Sequence, residues 1–203
     1  MVYDDQIEYF LKKCIKIRNT VKVVNHPMIC SASTLDVKMS SNITIFAPSN
    51  SNDESEFDNL YELLSSRSDI TAYIKSQEYL KQNEKVCFSN DWISTDDYER
   101  LFLSADVILL SIGDRFKYRA SGVLFEAIAN QRYVLTNNKY LYDAYLKKFP
   151  SIGGYYSNIS DLSEMLNTLD LRQKNTDEYD RFYFEHSDQF IENQLNNVLL
   201  SER

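Results

Sequence analysis

Two neighbouring segments restrict the fold more than any others. Asp106-Val107-Ile108-Leu109-Leu110 is an apolar run without alternation, and Ser121 to Ala129 is apolar nearly all round when wound into a helix. A strand that shows no period of two is covered on both faces. A helix without a polar stripe has no side left for water. Both demands are met inside a parallel sheet wrapped by helices on its two faces.

The remaining chain keeps the same alternation. Residues 43–47, 70–74, 86–88 and 133–136 read as further strands. Ile7, Phe10, Leu11, Cys14 and Ile15 fall at helical spacing, which predicts a helix over 4–18. Phe57, Leu60, Tyr61 and Leu64 predict another, and Thr95 is the expected N-cap of a third that carries Tyr98, Leu101 and Phe102. Helices are also expected near 139–148, 160–168 and 178–199. Val21, Val23 and Val24 form a short β-branched run that stops at His26-Pro27, residues 31–42 read as a Ser-rich linker, and Gly153-Gly154 reads as a turn. The expected fold class is α/β: a Rossmann-like parallel sheet with helices on both faces, preceded by a short helix–strand stub.

Composition excludes several classes of function. At 203 residues and 43% apolar, the chain has ample material for a core. Its 22 Lys+Arg against 30 Asp+Glu leave a net charge of −8, which argues against a nucleic-acid binder and against attachment to an anionic membrane by charge alone. No apolar run approaches the ~20 residues of a membrane span, and the start, Met1-Val2-Tyr3-Asp4-Asp5, is acidic where a signal peptide is basic. Cys14, Cys30 and Cys87 are odd in number and widely separated, so they read as buried, reduced thiols of a cytoplasmic protein. His26 and His186 are too few for a metal site or a Ser/His/Asp set, and no metal or other cofactor is expected. The 15 Tyr and 11 Phe are assigned to the core.

One segment combines the features of a binding site. Between the buried strand at 106–110 and the buried helix at 121–129 lie Arg115, Lys117 and Arg119, a basic cluster in an acidic chain. Ser121-Gly122 opens the helix, whose free N–H groups and positive dipole end suit a phosphate. Gly122 has no Cβ to keep a ligand from the backbone. Glu126 follows one turn deeper among Val123, Leu124, Phe125, Ala127, Ile128 and Ala129, where an unpartnered charge is expensive. A sugar diol would satisfy it; so would Arg119 or Arg132. On the bland alternative the basic loop is merely solvated, Ser121 only caps the helix and Gly122 only allows close packing.

The stretch from Tyr98 to Val134 resembles the donor-binding half of the retaining, GT-B-fold glycosyltransferases of the glycogen-synthase-like superfamily. The resemblance rests on Ser104-Ala105-Asp106-Val107-Ile108-Leu109-Leu110 and on Tyr118-Arg119-Ala120-Ser121-Gly122-Val123-Leu124-Phe125-Glu126-Ala127. A weaker match extends from about Ile43 to Leu169, and the last helix resembles the one that crosses back to the other domain in that family. The resemblance implies that Ser121 and Gly122 bind the donor diphosphate with Arg119 nearby, that Arg115 and Lys117 add phosphate contacts, and that Glu126 binds ribose. It implies a nucleotide-sugar donor such as a UDP- or GDP-sugar, and transfer with retention to a glycan or lipid-linked acceptor in surface polysaccharide synthesis. It adds the inner face of the membrane as a peripheral location. It identifies no catalytic residue.

The chain departs from the family at three places. Tyr118 stands where the first Glu of the Glu-x7-Glu motif would be, Ser111-Ile112 replaces the Pro-Tyr after the strand, and residues 48–56 carry acidic groups where the family has Arg and Lys. The expected organisation is a remnant of the acceptor-side domain or linker at 1–30, a donor-binding domain at 31–175 and a crossing helix at 176–203. With one domain's worth of chain, a second polypeptide or a homo-oligomer is expected to supply the acceptor side. The alternative is a non-catalytic, transferase-derived subunit that partners a complete enzyme.

Overall fold

The computed structural model describes residues 2–18, 20–28, 30, 32–33, 42–113, 117–169 and 176–200. Most of the expected linker at 31–42 lies outside the described residues, and so does Arg115. The strands are β1 (Ile43–Ala47), β2 (Ile70–Lys75), β3 (Lys81–Gln82), β4 (Val86–Ser89), β5 (Val107–Leu110), β6 (Tyr133–Thr136) and β7 (Gly153–Tyr155). The helices are α1 (Asp5–Lys13), α2 (Phe57–Ser65), α3 (Thr95–Ser104), α4 (Gly122–Ala129), α5 (Lys139–Leu141), α6 (Ile159–Thr168), α7 (Thr176–Glu185) and α8 (Asp188–Leu200). A tight turn at Glu54–Glu56 leads into α2, and a wide π-type turn at Tyr142–Leu146 continues α5.

Among the described residues the sheet runs β3-β4-β2-β1-β5-β6-β7, and every pair is parallel except β3 with β4. The fold is therefore the expected α/β, Rossmann-like architecture. Its two faces carry separate cores. Phe46, Ile108, Leu110 and Val134 face Phe102, Leu124, Phe125 and Phe182 on one side. Ile45, Val107, Leu109 and Leu135 face Leu60, Leu64, Leu162 and Leu166 on the other. All four residues of β5 are buried, as its unalternating sequence requires. On α4, Leu124, Phe125 and Ile128 are buried at 2% exposure or less. Each such side chain contributes about 1.5–3 kcal/mol by leaving water.

The structure corrects several boundaries. The cap of α3 is Ser94, whose side chain accepts from the Asp97 amide, and Thr95 is the first helical residue. Helix α1 ends at Lys13, and Lys16 turns the chain at φ +60°. The long helix expected over 178–199 is two helices. His186 leaves the helical path with its ring bonded to the His26 carbonyl, and the Ser187 hydroxyl accepts from the Phe190 amide to start α8. Gly153-Gly154 is not a turn but part of edge strand β7, in parallel register with Val134 and Leu135. A Cβ at Gly154 would stand 2.2 Å from Met165 Cε, so glycine lets α6 pack directly on the strand. The β-branched run near Val23 makes a single parallel bridge to Val2. Cys14 is exposed and the other two thiols are partly exposed, contrary to the expected burial.

Residues before β1 pack onto the sheet's helices. Asp4 caps α1, accepting from the Gln6 and Ile7 amides at 2.9 Å each, and it also takes the buried Tyr140 hydroxyl of α5. Asn25 donates its amide to Gln194 of α8 at 2.9 Å, and the His26 ring stacks on Phe125 at 4.7 Å. No helix of the described residues is long and apolar enough to cross a membrane.

Candidate functional site

The strand order places the site. From β1 the chain moves outward through β2 to β4, then returns to place β5 on the other side of β1. The loops after β1 and β5 therefore diverge from neighbouring strands, the place where open parallel sheets bind ligands. A cavity of about 190 Å³ opens there, lined by Ser49 and Ser51 after β1, by Leu110 at the end of β5 and Ile112 just beyond it, by Arg119, Ala120, Ser121 and Gly122, and by Leu141.

Ser121 forms the corner at which the loop becomes helix α4. Its backbone is extended, and its hydroxyl accepts from the Leu124 amide at 3.3 Å. The amides of the first turn have no acceptor within the helix by its geometry. Gly122 is exposed and Glu126 half-buried. Three of the predicted residues, Arg119, Ser121 and Gly122, therefore share one cavity with the N-terminus of a helix. Lys117 is exposed two residues away in the chain and does not line that cavity.

The loop between β5 and α4 is anchored on both sides. The Gly113 amide donates to Asn137 Oδ1 at 2.8 Å, and the Asn138 side chain donates to the Gly113 carbonyl. The Asp53 amide donates to the Ser111 carbonyl at 2.5 Å, linking this loop to the one after β1. Further on, Tyr118 sits at φ +64° with its ring stacked on Phe10 of α1, centroids 4.5 Å apart. Helix α1 thus presses on the residue next to Arg119.

Acidic residues in the loop after β1 have structural tasks. Asp53 caps the turn that follows it, accepting from Ser55 at 3.2 Å. Glu54 accepts from the Ser76 hydroxyl at 3.0 Å and from the backbone amides of Gln77, Glu78 and Tyr79. Burial pushes the Glu54 carboxyl up, but these hydrogen bonds outweigh it and hold the pKa below the ordinary range. The carboxylate thereby stitches the loop after β1 to the loop after β2. Asn52 does the same from inside, donating to the Ala47 and Lys75 carbonyls at 3.3 and 2.8 Å.

Glu126 lies one turn into α4. Of the pairings left open by the sequence, neither Arg119 nor Arg132 takes its carboxylate. Instead Oε2 accepts from the Tyr98 hydroxyl of α3 at 2.9 Å. Burial and the nearby Glu99 charge push the Glu126 pKa up, while the Tyr98 bond opposes them. Tyr98 is the residue that sequence reasoning missed. Its helical spacing marks it as core, and nothing local to it points to a carboxylate 28 residues later. Ser49 and Ser51 were likewise unmarked, being two serines in a polar loop.

No family profile matches the chain, and no curated protein matches it in sequence. Solved structures do match in fold. Sucrose-phosphate synthase from Thermosynechococcus elongatus aligns over 100% of this chain and 58% of its own, at 11% identity and a TM-score of 0.66. The glycosyltransferase SnogD from Streptomyces nogalater aligns over 98% and 55%, at 15% identity and a TM-score of 0.52. A UDP-forming trehalose-phosphate synthase from Burkholderia xenovorans aligns over 79% and 44%, at 11% identity and a TM-score of 0.51. What the chain shares with these structures is their fold, a Rossmann-like α/β architecture of the GT-B type. This chain spans about half the length of each of these structures.

Proposed function

We propose that the chain is the donor-binding half of a nucleotide-sugar-dependent glycosyltransferase. The observation that carries this reading is the cavity at the β1–β5 switch, where Arg119, Ser121 and Gly122 converge at the start of α4. The amides of Ser121 and Gly122 would bind the donor diphosphate, helped by the helix dipole and the Arg119 guanidinium. Lys117, and Arg115 outside the described residues, would add longer-range attraction. Glu126 would accept hydroxyl hydrogen bonds from the ribose. A UDP- or GDP-sugar fits such a site, with no metal required to hold it.

Transfer with retention, a glycan or lipid-linked acceptor and a role in surface polysaccharide synthesis are extensions from the family that the motif resembles. So are the division at residues 30 and 175, an acceptor side supplied by a second polypeptide or another copy, and action in the cytoplasm or at the inner face of a membrane. A second reading, a non-catalytic partner of a complete transferase, is favoured by the loop after β1. Its carboxylates are tied to neighbouring backbone, and residues 48–56 include no cation to clamp a phosphate.

A thermal-shift titration of the full chain with UDP, GDP, ADP and CMP separates the two readings. Stabilisation by one nucleotide is expected, reaching about 2.7 kcal/mol at a hundred times its dissociation constant. Gly122→Asp and Glu126→Ala should each abolish the shift and leave the circular dichroism spectrum unchanged. No shift with any nucleotide would overturn the donor-binding reading and leave the partner subunit.

A further inference from the structure

We infer that Tyr98 is the positioning residue for Glu126, fixing the carboxylate that distinguishes a ribose from its deoxy analogue; the inference rests on the donor-binding reading above. Three observations support it. First, the Tyr98 hydroxyl bonds Glu126 Oε2 at 2.9 Å, across the space between α3 and α4. Second, the ring that carries this hydroxyl has little freedom. It packs edge-on to Phe46 of β1 at 5.7 Å and lies against Phe102, one turn further along α3, at 5.6 Å. Third, both residues sit about one turn from the start of their helices, and both helices begin at the edge of the sheet where the cavity opens.

The chemistry follows from the carboxylate's capacity. Two oxygens offer about four acceptor sites, and a single hydroxyl donor leaves several for a ligand. An unanchored Glu on a helix samples several rotamers, and each loses the pairing of two acceptors with two adjacent hydroxyls. Tyr98 selects one rotamer. Burial, together with the Glu126 charge, holds the Tyr98 pKa well above that of an ordinary tyrosine, so the hydroxyl remains a donor throughout the working range. Tyr98 also favours the ionised form of Glu126 against the burial that opposes it.

Tyr98→Phe removes the donor and keeps the ring, so the packing against Phe46 and Phe102 is retained. Calorimetry on the full chain would compare UDP and GDP with their 2′-deoxy counterparts, and with inorganic pyrophosphate. The unmodified chain is expected to prefer the ribonucleotide by roughly tenfold or more, the range for a hydrogen bond to a charged group. In Tyr98→Phe that preference should fall to within about twofold, with pyrophosphate affinity unchanged. In parallel, NMR titration of the Glu126 carboxyl should show its pKa rising further in the variant. A preserved ribose preference in Tyr98→Phe would overturn the inference and leave the donor-binding reading standing. Binding without any ribose preference in the unmodified chain would overturn the inference together with the role of Glu126. Absence of nucleotide binding in the unmodified chain would overturn the reading and the inference with it.

Discussion

At the scale of single residues, a few side chains and one backbone angle hold the site open. Gly113 sits at φ +52°, and a Cβ built there would stand 2.7 Å from Asp53 Oδ2. Its amide and carbonyl both serve the loop, through Asn137 and Asn138. Gly113→Ala must therefore pay for a left-handed L-residue and for displacing the Asp53 carboxylate. A loss of about 1–2 kcal/mol is expected from the backbone alone, read as a lower urea midpoint with an unchanged m-value. Glu126 shows how one residue's meaning can be half visible. Its placement on an apolar helix announced a partner, and Gly122 one turn earlier announced where a ligand would sit. The identity of that partner was invisible, because Tyr98 meets Glu126 only through the packing of α3 against α4.

At the scale of elements, junctions matter more than lengths. The ends of α7 and α8 meet at His186, which is buried and stacked on Phe182 at 4.2 Å. Burial lowers its pKa from 6.5, although the His26 carbonyl and Glu185 pull the other way. Below its ordinary value the unfolded chain binds a proton that the folded chain resists. Stability therefore falls as pH drops through about 6.5 and towards the lower folded pKa. His186→Gln should flatten this acid-side decline in a series of thermal melts from pH 7 to pH 5, even if it lowers the melting temperature at pH 7. An acid-side decline as steep as that of the unmodified chain would exclude His186 as its source. The sequence periodicity ran straight through this junction. Phe182, Phe190 and the leucines beyond lie on helical spacing, and the break comes from a tertiary bond to His26. Strand β7 is a similar case, since its two glycines carry no hydrophobic signal and owe their place to the close approach of Leu146 at Gly153 and of α6 at Gly154.

At the scale of the whole molecule, Phe125 joins the parts. It is fully buried in α4, and its ring meets His26 at 4.7 Å, Tyr145 at 5.4 Å, His186 at 5.4 Å and Phe182 at 5.9 Å. The residues before β1, the π-type turn after α5 and the end of α7 thus all close on one side chain. Phe125→Ala is expected to cost about 3–5 kcal/mol, much of the 5–15 kcal/mol of a typical domain. Denaturant unfolding checks this; a cost under about 1 kcal/mol would mean that the cluster is not a shared core. The sequence by itself determined the α/β class, the strands on either side of the cavity and the helix start that lines it, because these follow from local periodicity and capping. It also marked the basic loop and Glu126. Only the tertiary structure decided which strands are neighbours, that the loops after β1 and β5 face one cavity, and that Glu54 spends its charge on three amides. The same holds for Tyr98 reaching Glu126. Each of these is a contact between residues far apart in the chain, and hydrophobic periodicity has no term for such contacts, only for the faces that make them.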